Sequence, residues 1–292
     1  MVDDRFTMNT TTISSRPSVT RPRIVRSTDP LTDEQLRIAA PSVFAEGAHQ
    51  SRSARYSFIP NAPVLDALRS AGYHPIEVAT GGSRIAGKEA YTKHLLRFRH
   101  ADHLGGARNL SPEIVMVNSH DGTSSYQMMA GIFRMVCSNG MIVGESAVPA
   151  IKVPHKGDVA ERVVQAADAV IDQTGRVFGT IETWRCKLLT NIEMSRFADA
   201  ANSLRFPGKE GVHWTTSCRR FEDGEPTLWN VFNRAQENLV NGGPERTIYR
   251  DGRTFWRKVR PIRNVAGVLK LNRDLWEIAD RINKGEELTL PS

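Results

Sequence analysis

The amino-acid sequence predicts an α+β protein in which an antiparallel β-meander is followed by packed helices. Strand-like segments separated by tight-turn signals crowd residues 54–156, whereas apolar residues at helical spacing dominate residues 157–292. Strands first and helices afterwards favour α+β over an alternating α/β order. Residues 1–30 are rich in Ser, Thr, Pro and Arg and lack a periodic apolar pattern. We therefore predict a flexible basic arm over 1–30 and a single α+β domain over 31–292.

Two short helices are predicted directly after the arm. The run Thr32-Asp33-Glu34-Gln35 fits a capping box that opens the first helix. Pro63 begins the second helix and Gly72 ends it. Residues 56–59 are expected to form a short strand between the two.

The central region is predicted to be a meander of six strands. The strand candidates are residues 75–79, 91–100, 113–120, 124–137, 141–144 and 150–155. Residues 113–117 are nearly all apolar, which predicts an interior strand covered on both faces. Asp121-Gly122 predicts a two-residue turn of type I′, and Ser138-Asn139-Gly140 predicts a second tight turn. Successive tight turns indicate antiparallel pairing and disfavour a parallel, nucleotide-binding sheet.

The helical half begins after Asp158, which is a good N-cap. Its apolar stripe consists of Val159, Val163, Ala167 and Val170, and the pattern continues through Trp184 and Leu188. A capping box at Thr190 opens the next helix, and two further helices are predicted over residues 228–239 and 275–282.

Composition excludes several classes of protein. No apolar run approaches the ~20 residues that span a bilayer, and the polar N-terminus is not a secretory signal. We therefore expect a cytoplasmic protein that does not contact a membrane. Three scattered cysteines without zinc-ligand spacing predict neither a disulfide framework nor a metal site. No phosphate-loop or dinucleotide-binding motif is present, so no cofactor is expected.

One stretch, residues 118–126, combines His, Asp and Ser side chains. A hydrolase or nuclease that uses His120 and Asp121 is one interpretation, and Cys137 with His120 is a conceivable nucleophile and base. Catalytic triads are assembled in space rather than in sequence, and a hairpin turn already explains Asp121 and Gly122. We therefore predict no catalytic residue here, and we expect Cys137 to be a core residue.

Positive charge is the strongest functional signal, because the formal net charge is +7. Lys93, Arg97 and Arg99 alternate with apolar residues and predict a cationic strand face. The densest run is 246–263, where aromatic residues are interleaved with cations, as in single-strand binding proteins. The alternative for this run is a solvated strand pair whose aromatic residues face the core. The predicted nucleic-acid contacts are Arg97, Arg99, Arg219, Arg220, Tyr249, Arg253, Trp256, Arg257, Lys258 and Arg260.

Several strings resemble a known family. They are SARY and IP within residues 53–60, HLLRFR at 94–99, NSHDGT at 118–123, FRMVCSNG at 133–140, RRFED at 219–223 and LWNVFNRAQEN at 228–238. From about Pro30 to Ala279 the chain resembles the phage/plasmid-like family that carries domain of unknown function 932. The family has no established activity. Its phage and plasmid setting implies a role on a mobile element, in replication, recombination, regulation or anti-defence.

Two hypotheses about function follow. The first is a non-enzymatic protein that binds DNA, with single strands as the favoured form, as an annealing or recombination accessory. Its predicted outline is similar to that of single-strand annealing proteins such as Redβ and RecT, which implies homo-oligomers. The alternative is an anti-restriction factor that binds a host defence protein through the outer faces of the helices from Pro226 onward.

Overall fold

The chain folds as an antiparallel sheet followed by long helices, which confirms the α+β prediction. The computed structural model describes residues 23–53, 56, 58–83, 85, 87–106, 110–134, 139–144, 150–152, 159–207, 217–242, 246–251, 253–257, 259–286 and 288. Of the residues singled out above, Cys137, Ser138, Asp158 and Lys258 lie outside these ranges, as do residues 1–22 of the predicted arm. Among the described helices, none is both long enough and apolar enough to cross a membrane.

Seven strands make up the main sheet. They are β1 (Arg23–Arg26), β2 (Tyr73–Thr80), β3 (His94–His100), β4 (Leu110–Asn118), β5 (Gln127–Arg134), β6 (Asn139–Ile142) and β7 (Ile151–Lys152). The first six follow one another in space in chain order, and every described pair is antiparallel. β6 and β7 share the outer edge of β5. As the apolar run predicts, β4 is an interior strand whose residues from Ile114 to Val117 are buried.

The described residues also form six α-helices. They are α1 (Asp33–Ala39), α2 (Asn61–Ser70), α3 (Val159–Cys186), α4 (Asn191–Arg205), α5 (Leu228–Asn241) and α6 (Val265–Lys284). The predicted capping boxes at Thr32 and Thr190 are both present. α6 begins at Val265 rather than at residue 275, because the Asn264 side chain accepts a hydrogen bond from the Gly267 amide and caps the helix there.

The two faces of the sheet have different neighbours. One face packs against the helices and forms the main core, which includes Leu96, Phe98 and Trp184. The other face carries a smaller apolar cluster in which Leu95 and Val115 pack with Val265 of α6. Charged residues of β2, β3 and β4 extend this second face.

Four local predictions are wrong. Arg23–Arg26, assigned to the flexible arm, is strand β1 and pairs with β2. The connection between β4 and β5 spans residues 119–126, and only Gly122 of the Asp121-Gly122 pair has a positive φ, so the turn is not of type I′. Asn139 and Gly140 lie within β6 rather than in a turn. The described residues of 56–59 form no strand.

Candidate nucleic-acid interface

The last two strands form a separate ribbon in which arginine occupies four paired positions. β8 (Arg246–Arg250) and β9 (Arg253–Arg257) pair with each other and with no other described strand. The register places Arg246 opposite Arg257 and Arg250 opposite Arg253. Because alternate residues of a strand share a face, the four arginine positions belong to one face. We call residues 246–257 the arginine ribbon.

Like charges directly opposite each other destabilise an antiparallel pair, and the arginine ribbon has two such pairs. Asp251 is the only acidic residue in the run 246–263. Asp251 has a φ of 51°, which the tight connection between β8 and β9 requires. Arg253 beside it is exposed. A polyanion placed against this face would relieve the repulsion.

The arginine ribbon is attached to the helices at its open end, which we call the ribbon foot (residues 239–242 and 259–262). Gly242 has a φ of 85°, and a Cβ at this position would collide with the Val259 carbonyl. The Ile262 amide donates to the Val240 carbonyl at 2.8 Å. The close approach therefore requires glycine at 242 for both its conformation and its size.

Two arginines fasten the ribbon foot from neighbouring segments. Arg205, at the end of α4, donates to the carbonyls of Leu239 and Arg260, and burial lowers the pKa of its guanidinium. Arg219 donates to the Gly242 carbonyl. Arg260 itself is exposed at the foot. These contacts join the arginine ribbon, α4, α5 and the segment before α5 in one assembly.

The segment before α5 is a turn that exposes an aromatic side chain. Phe221 is 98 % exposed, the largest exposure among the described large apolar residues. Asp223 is buried and accepts two hydrogen bonds from Arg134, at 2.6 and 3.0 Å. Asp223 is therefore bound within the fold rather than solvated, because β5 supplies a buried guanidinium for it. We call residues 217–225 the Phe221 turn.

Arg220 has a structural contact in the same turn. Its guanidinium donates to both carboxylate oxygens of Glu237 on α5, at 2.7 and 3.1 Å. Glu237 is buried, whereas the Arg220 side chain keeps about a third of its exposure. Bidentate geometry fixes the guanidinium, so Arg220 contributes to the position of the turn. The predicted phosphate contact by Arg220 is not supported by this pairing.

The predicted cationic face of β3 is wrong. Arg97 and Arg99 are each 2 % exposed, and both donate to Glu113, at 2.9 and 2.8 Å. Glu77, the register partner of Arg97 on β2, adds a second carboxylate at 3.6 Å. The neighbouring strands therefore neutralise and bury both arginines, which excludes them from a surface that contacts phosphate in this structure.

His120 belongs to a buried polar network, and this position does not support its interpretation as a catalytic group. The Asn61 amide nitrogen lies 2.8 Å from His94 Nε2 and 3.2 Å from His120 Nε2. Its amide oxygen accepts from Asn118, so the nitrogen must donate to both rings, which requires them to be neutral. Burial lowers the pKa of His94 to about 3 and that of His120 to about 4. Both rings are 0 % exposed, so neither reaches solvent.

Asp121 also has structural contacts. Burial by itself would raise the pKa of its carboxyl, but hydrogen bonds from Thr123 and the Lys88 ammonium outweigh burial and lower that pKa. The Thr123 hydroxyl donates to Asp121 at 2.6 Å, and Lys88 Nζ lies 3.2 Å from the carboxylate. These contacts shape the loop from 119 to 126. Within the described ranges, no cluster of three or more His, Cys, Asp or Glu residues could hold a metal ion.

The structure divides the ten predicted contacts into groups. Those in or beside the arginine ribbon or its foot are Arg219, Tyr249, Arg253, Trp256, Arg257 and Arg260. Those held by carboxylates are Arg97, Arg99 and Arg220. The tenth, Lys258, lies outside the described residues. Sequence reasoning missed the role of Arg205, for which no local signal exists. It also missed the Asp251-Gly252 dipeptide, a strong hairpin signal that would have located the ribbon.

Comparison with known proteins places the chain in a family. The model described as "Domain of unknown function (DUF932)" matches residues 48–276. The Escherichia coli K12 proteins "UPF0380 protein YafZ" and "UPF0380 protein YfjQ" are each 39 % identical over 263 residues, covering 89 % of this chain and 94 % of theirs. The chain belongs to the DUF932 family. No solved structure matches it.

The DUF932 match includes the buried histidine network, the Phe221 turn and the arginine ribbon. These three features therefore lie in the part of the chain that the family model describes. The names of the two relatives state no activity. Function must accordingly be argued from the geometry of the site.

Proposed function

We propose that this protein binds nucleic acid through the arginine ribbon. The observation that carries the proposal is the register, which sets Arg246 opposite Arg257 and Arg250 opposite Arg253 on one face. Such pairing is unfavourable within the protein alone, whereas a nucleic-acid backbone supplies one phosphate charge per nucleotide to offset it. Binding of nucleic acid would then explain a pairing of arginines that does not stabilise the fold.

The form of the ribbon is also suited to a nucleic acid. A two-stranded antiparallel ribbon fits within the major groove of a duplex, and arginine forms bidentate contacts with phosphates and with guanine. Arg260 is exposed at the ribbon foot, and Arg263 is exposed just beyond it, so cations continue past the paired strands. The formal net charge of +7 favours polyanions over neutral partners. DNA is the polymer that we propose, and a role in annealing or recombination stays a prediction.

A host-protein target is supported less well by the geometry. That hypothesis placed the interface on the outer faces of the helices from Pro226 onward. In α5, however, the residues from Leu228 to Leu239 are buried with the exception of Arg234. The amides of this helix bind other elements instead: Gln236 donates to Asn272 on α6, and Asn238 donates to the Ser217 carbonyl. These amides cross-link packed elements and do not form a surface.

The proposal is tested by a mobility-shift assay with labelled single- and double-stranded DNA. Arg250→Gln with Arg253→Gln removes one cross-strand pair of charges. We expect the double variant to bind about tenfold more weakly, because each lost guanidinium removes a charge-assisted contact with phosphate.

A matched control removes the same charge elsewhere. Arg176 on α3 and Arg196 on α4 are both exposed, so Arg176→Gln with Arg196→Gln changes net charge equally. This control should bind DNA within about twofold of the unmodified protein. Equal weakening in both double variants would mean that only net charge matters, and the proposal for the ribbon would be wrong.

A further inference from the structure

The Phe221 turn displays an apolar ring that the protein does not bury. Phe221 is 98 % exposed, although burial of a phenylalanine side chain normally stabilises a fold by roughly 1.5–3 kcal/mol. An open cavity of about 700 Å³ lies beside it and is lined by residues 218–222 and 224–225. Nothing in the packing of the described core requires an aromatic residue at this position.

Several side chains of neighbouring elements hold the backbone that carries Phe221. Arg234 of α5 donates to the carbonyls of Asp223, Gly224 and Glu225, at 2.6, 2.7 and 3.0 Å. The Arg134–Asp223 and Arg220–Glu237 pairs fix the turn from two further directions. A side chain that is presented on a preorganised turn loses little conformational entropy when it binds a partner.

The Phe221 turn is connected to the arginine ribbon. Arg219 precedes Phe221 by two residues, a chain length of at most about 7 Å, and donates to the Gly242 carbonyl at the ribbon foot. This contact makes the Phe221 turn a neighbour of the ribbon foot, within reach of a polymer that continues past the foot. Glu222 and Glu225 are exposed on the same turn and repel phosphate. The part of a nucleotide that suits this position is thus the base and not the phosphate.

We infer that Phe221 is a stacking platform for an unpaired base, so that the protein prefers single-stranded over double-stranded nucleic acid. This inference rests on the proposed function and names its substrate class. Bases in a duplex are already stacked on both faces, whereas a base in a single strand can be placed on an aromatic ring. The arginine ribbon contacts the backbone of either form, and Phe221 adds affinity for the single strand alone.

The test compares fluorescence anisotropy of single- and double-stranded oligonucleotides of equal length with Phe221→Ala and Phe221→Trp. We expect Phe221→Ala to bind single strands about 5- to 150-fold more weakly, the range of one stacking contact, and to bind duplex unchanged. Phe221→Trp should retain single-strand affinity because it keeps an aromatic face. Leu188→Ala is the matched control, since Leu188 is also an exposed apolar residue, at 67 %.

Photo-cross-linking gives a readout that a purely structural role would not change. A single strand that contains 5-iodouracil should cross-link to the tryptic peptide 221–234, and Phe221→Ala should lose this product. If Phe221→Ala binds single strands normally, or weakens both forms equally, the stacking inference is wrong while binding through the ribbon still stands. If the unmodified protein binds neither oligonucleotide, the proposed function itself is wrong.

Discussion

Arginines of the main sheet and arginines of the ribbon look alike in sequence but have opposite environments. Arg97 and Arg99 alternate with apolar residues on β3 and are buried against Glu113. Arg250 and Arg253 also lie on adjacent strands, yet the register sets them opposite each other. The difference is the residue that strand pairing supplies: a carboxylate in the sheet and another arginine in the ribbon. Cross-strand neighbours, rather than the number of cations, therefore distinguish a structural arginine from a candidate binding residue.

Among the substitutions, the comparison predicts its largest effect at Glu113. Glu113→Ala should lower the free energy of unfolding by about 3–5 kcal/mol, because it leaves Arg97 and Arg99 buried without their shared carboxylate. Urea denaturation followed by circular dichroism measures this change. Glu222→Ala, at an exposed position, should change stability by less than about 0.5 kcal/mol. Similar values for both variants would show that the buried ion pairs do not stabilise the sheet.

This contrast also explains how far sequence could predict the fold. Local signals located the helices and most strands. The capping boxes at Thr32 and Thr190 marked helix starts, and apolar periodicity marked the other elements. They did not locate β1, whose short polar segment RIVR becomes a strand only by pairing with β2. Burial of Arg97 depended on a register with Glu77 that no single strand specifies.

The candidate site was predictable in part for the same reason. The dense basic run was visible in sequence, and the Asp251-Gly252 dipeptide could have indicated that it forms a hairpin. The contacts of Arg205 and Arg219 with the ribbon foot join segments far apart in the chain, so no local pattern reveals them. Phe221 stood beside two arginines in sequence, but its full exposure follows from the turn that holds it.

A lower pH should reduce the stability of the fold through His94 and His120, and it should not change the affinity of the ribbon for DNA. In the unfolded chain, His94 and His120 bind protons near pH 6.5, whereas burial lowers their pKa values in the fold to about 3 and about 4. Between pH 6.5 and 4 the unfolded state therefore holds more protons, and stability falls as pH falls. The expected slope is up to about 1.4 kcal/mol per pH unit for each ring. Urea denaturation at several pH values measures it.

Arginine does not titrate over this range, so affinity for DNA should be the same at pH 7 and pH 6 while the protein stays folded. A flat stability profile between pH 6.5 and 5 would contradict the neutral, hydrogen-bonded histidine pair. The His94→Gln, His120→Gln double variant should lose the acid-dependent slope, whatever its stability at neutral pH.

A smaller effect is expected at the ribbon foot. Gly242→Ala places a side chain at a φ of 85° and against the Val259 carbonyl, so it should lower the free energy of unfolding by about 1–3 kcal/mol. Thermal unfolding measures the change. Gly87 also has a positive φ, but a Cβ there meets nothing within 4 Å. Gly87→Ala therefore separates the strain of the backbone from the collision, and it should cost less than Gly242→Ala.

The smallest effect on stability is expected in the ribbon itself, and its sign is opposite to that in the sheet. Arg253→Gln removes one of two facing like charges and should leave the free energy of unfolding unchanged or raise it by about 0.2–1 kcal/mol. Urea denaturation at low salt, where repulsion is least screened, measures this most sensitively. A loss of more than 1 kcal/mol would mean that Arg253 has a structural role, as Arg97 and Arg99 have.

The salt dependence of binding tests the central claim most directly. The dissociation constant for a single-stranded oligonucleotide is measured from 50 to 200 mM salt for the unmodified protein and for a variant with glutamine at positions 246, 250, 253 and 257. Each phosphate contact contributes about 0.7 to the slope of log affinity against log salt, so four lost contacts should reduce the slope by about 3. Equal slopes for the two proteins would contradict binding through the arginine ribbon.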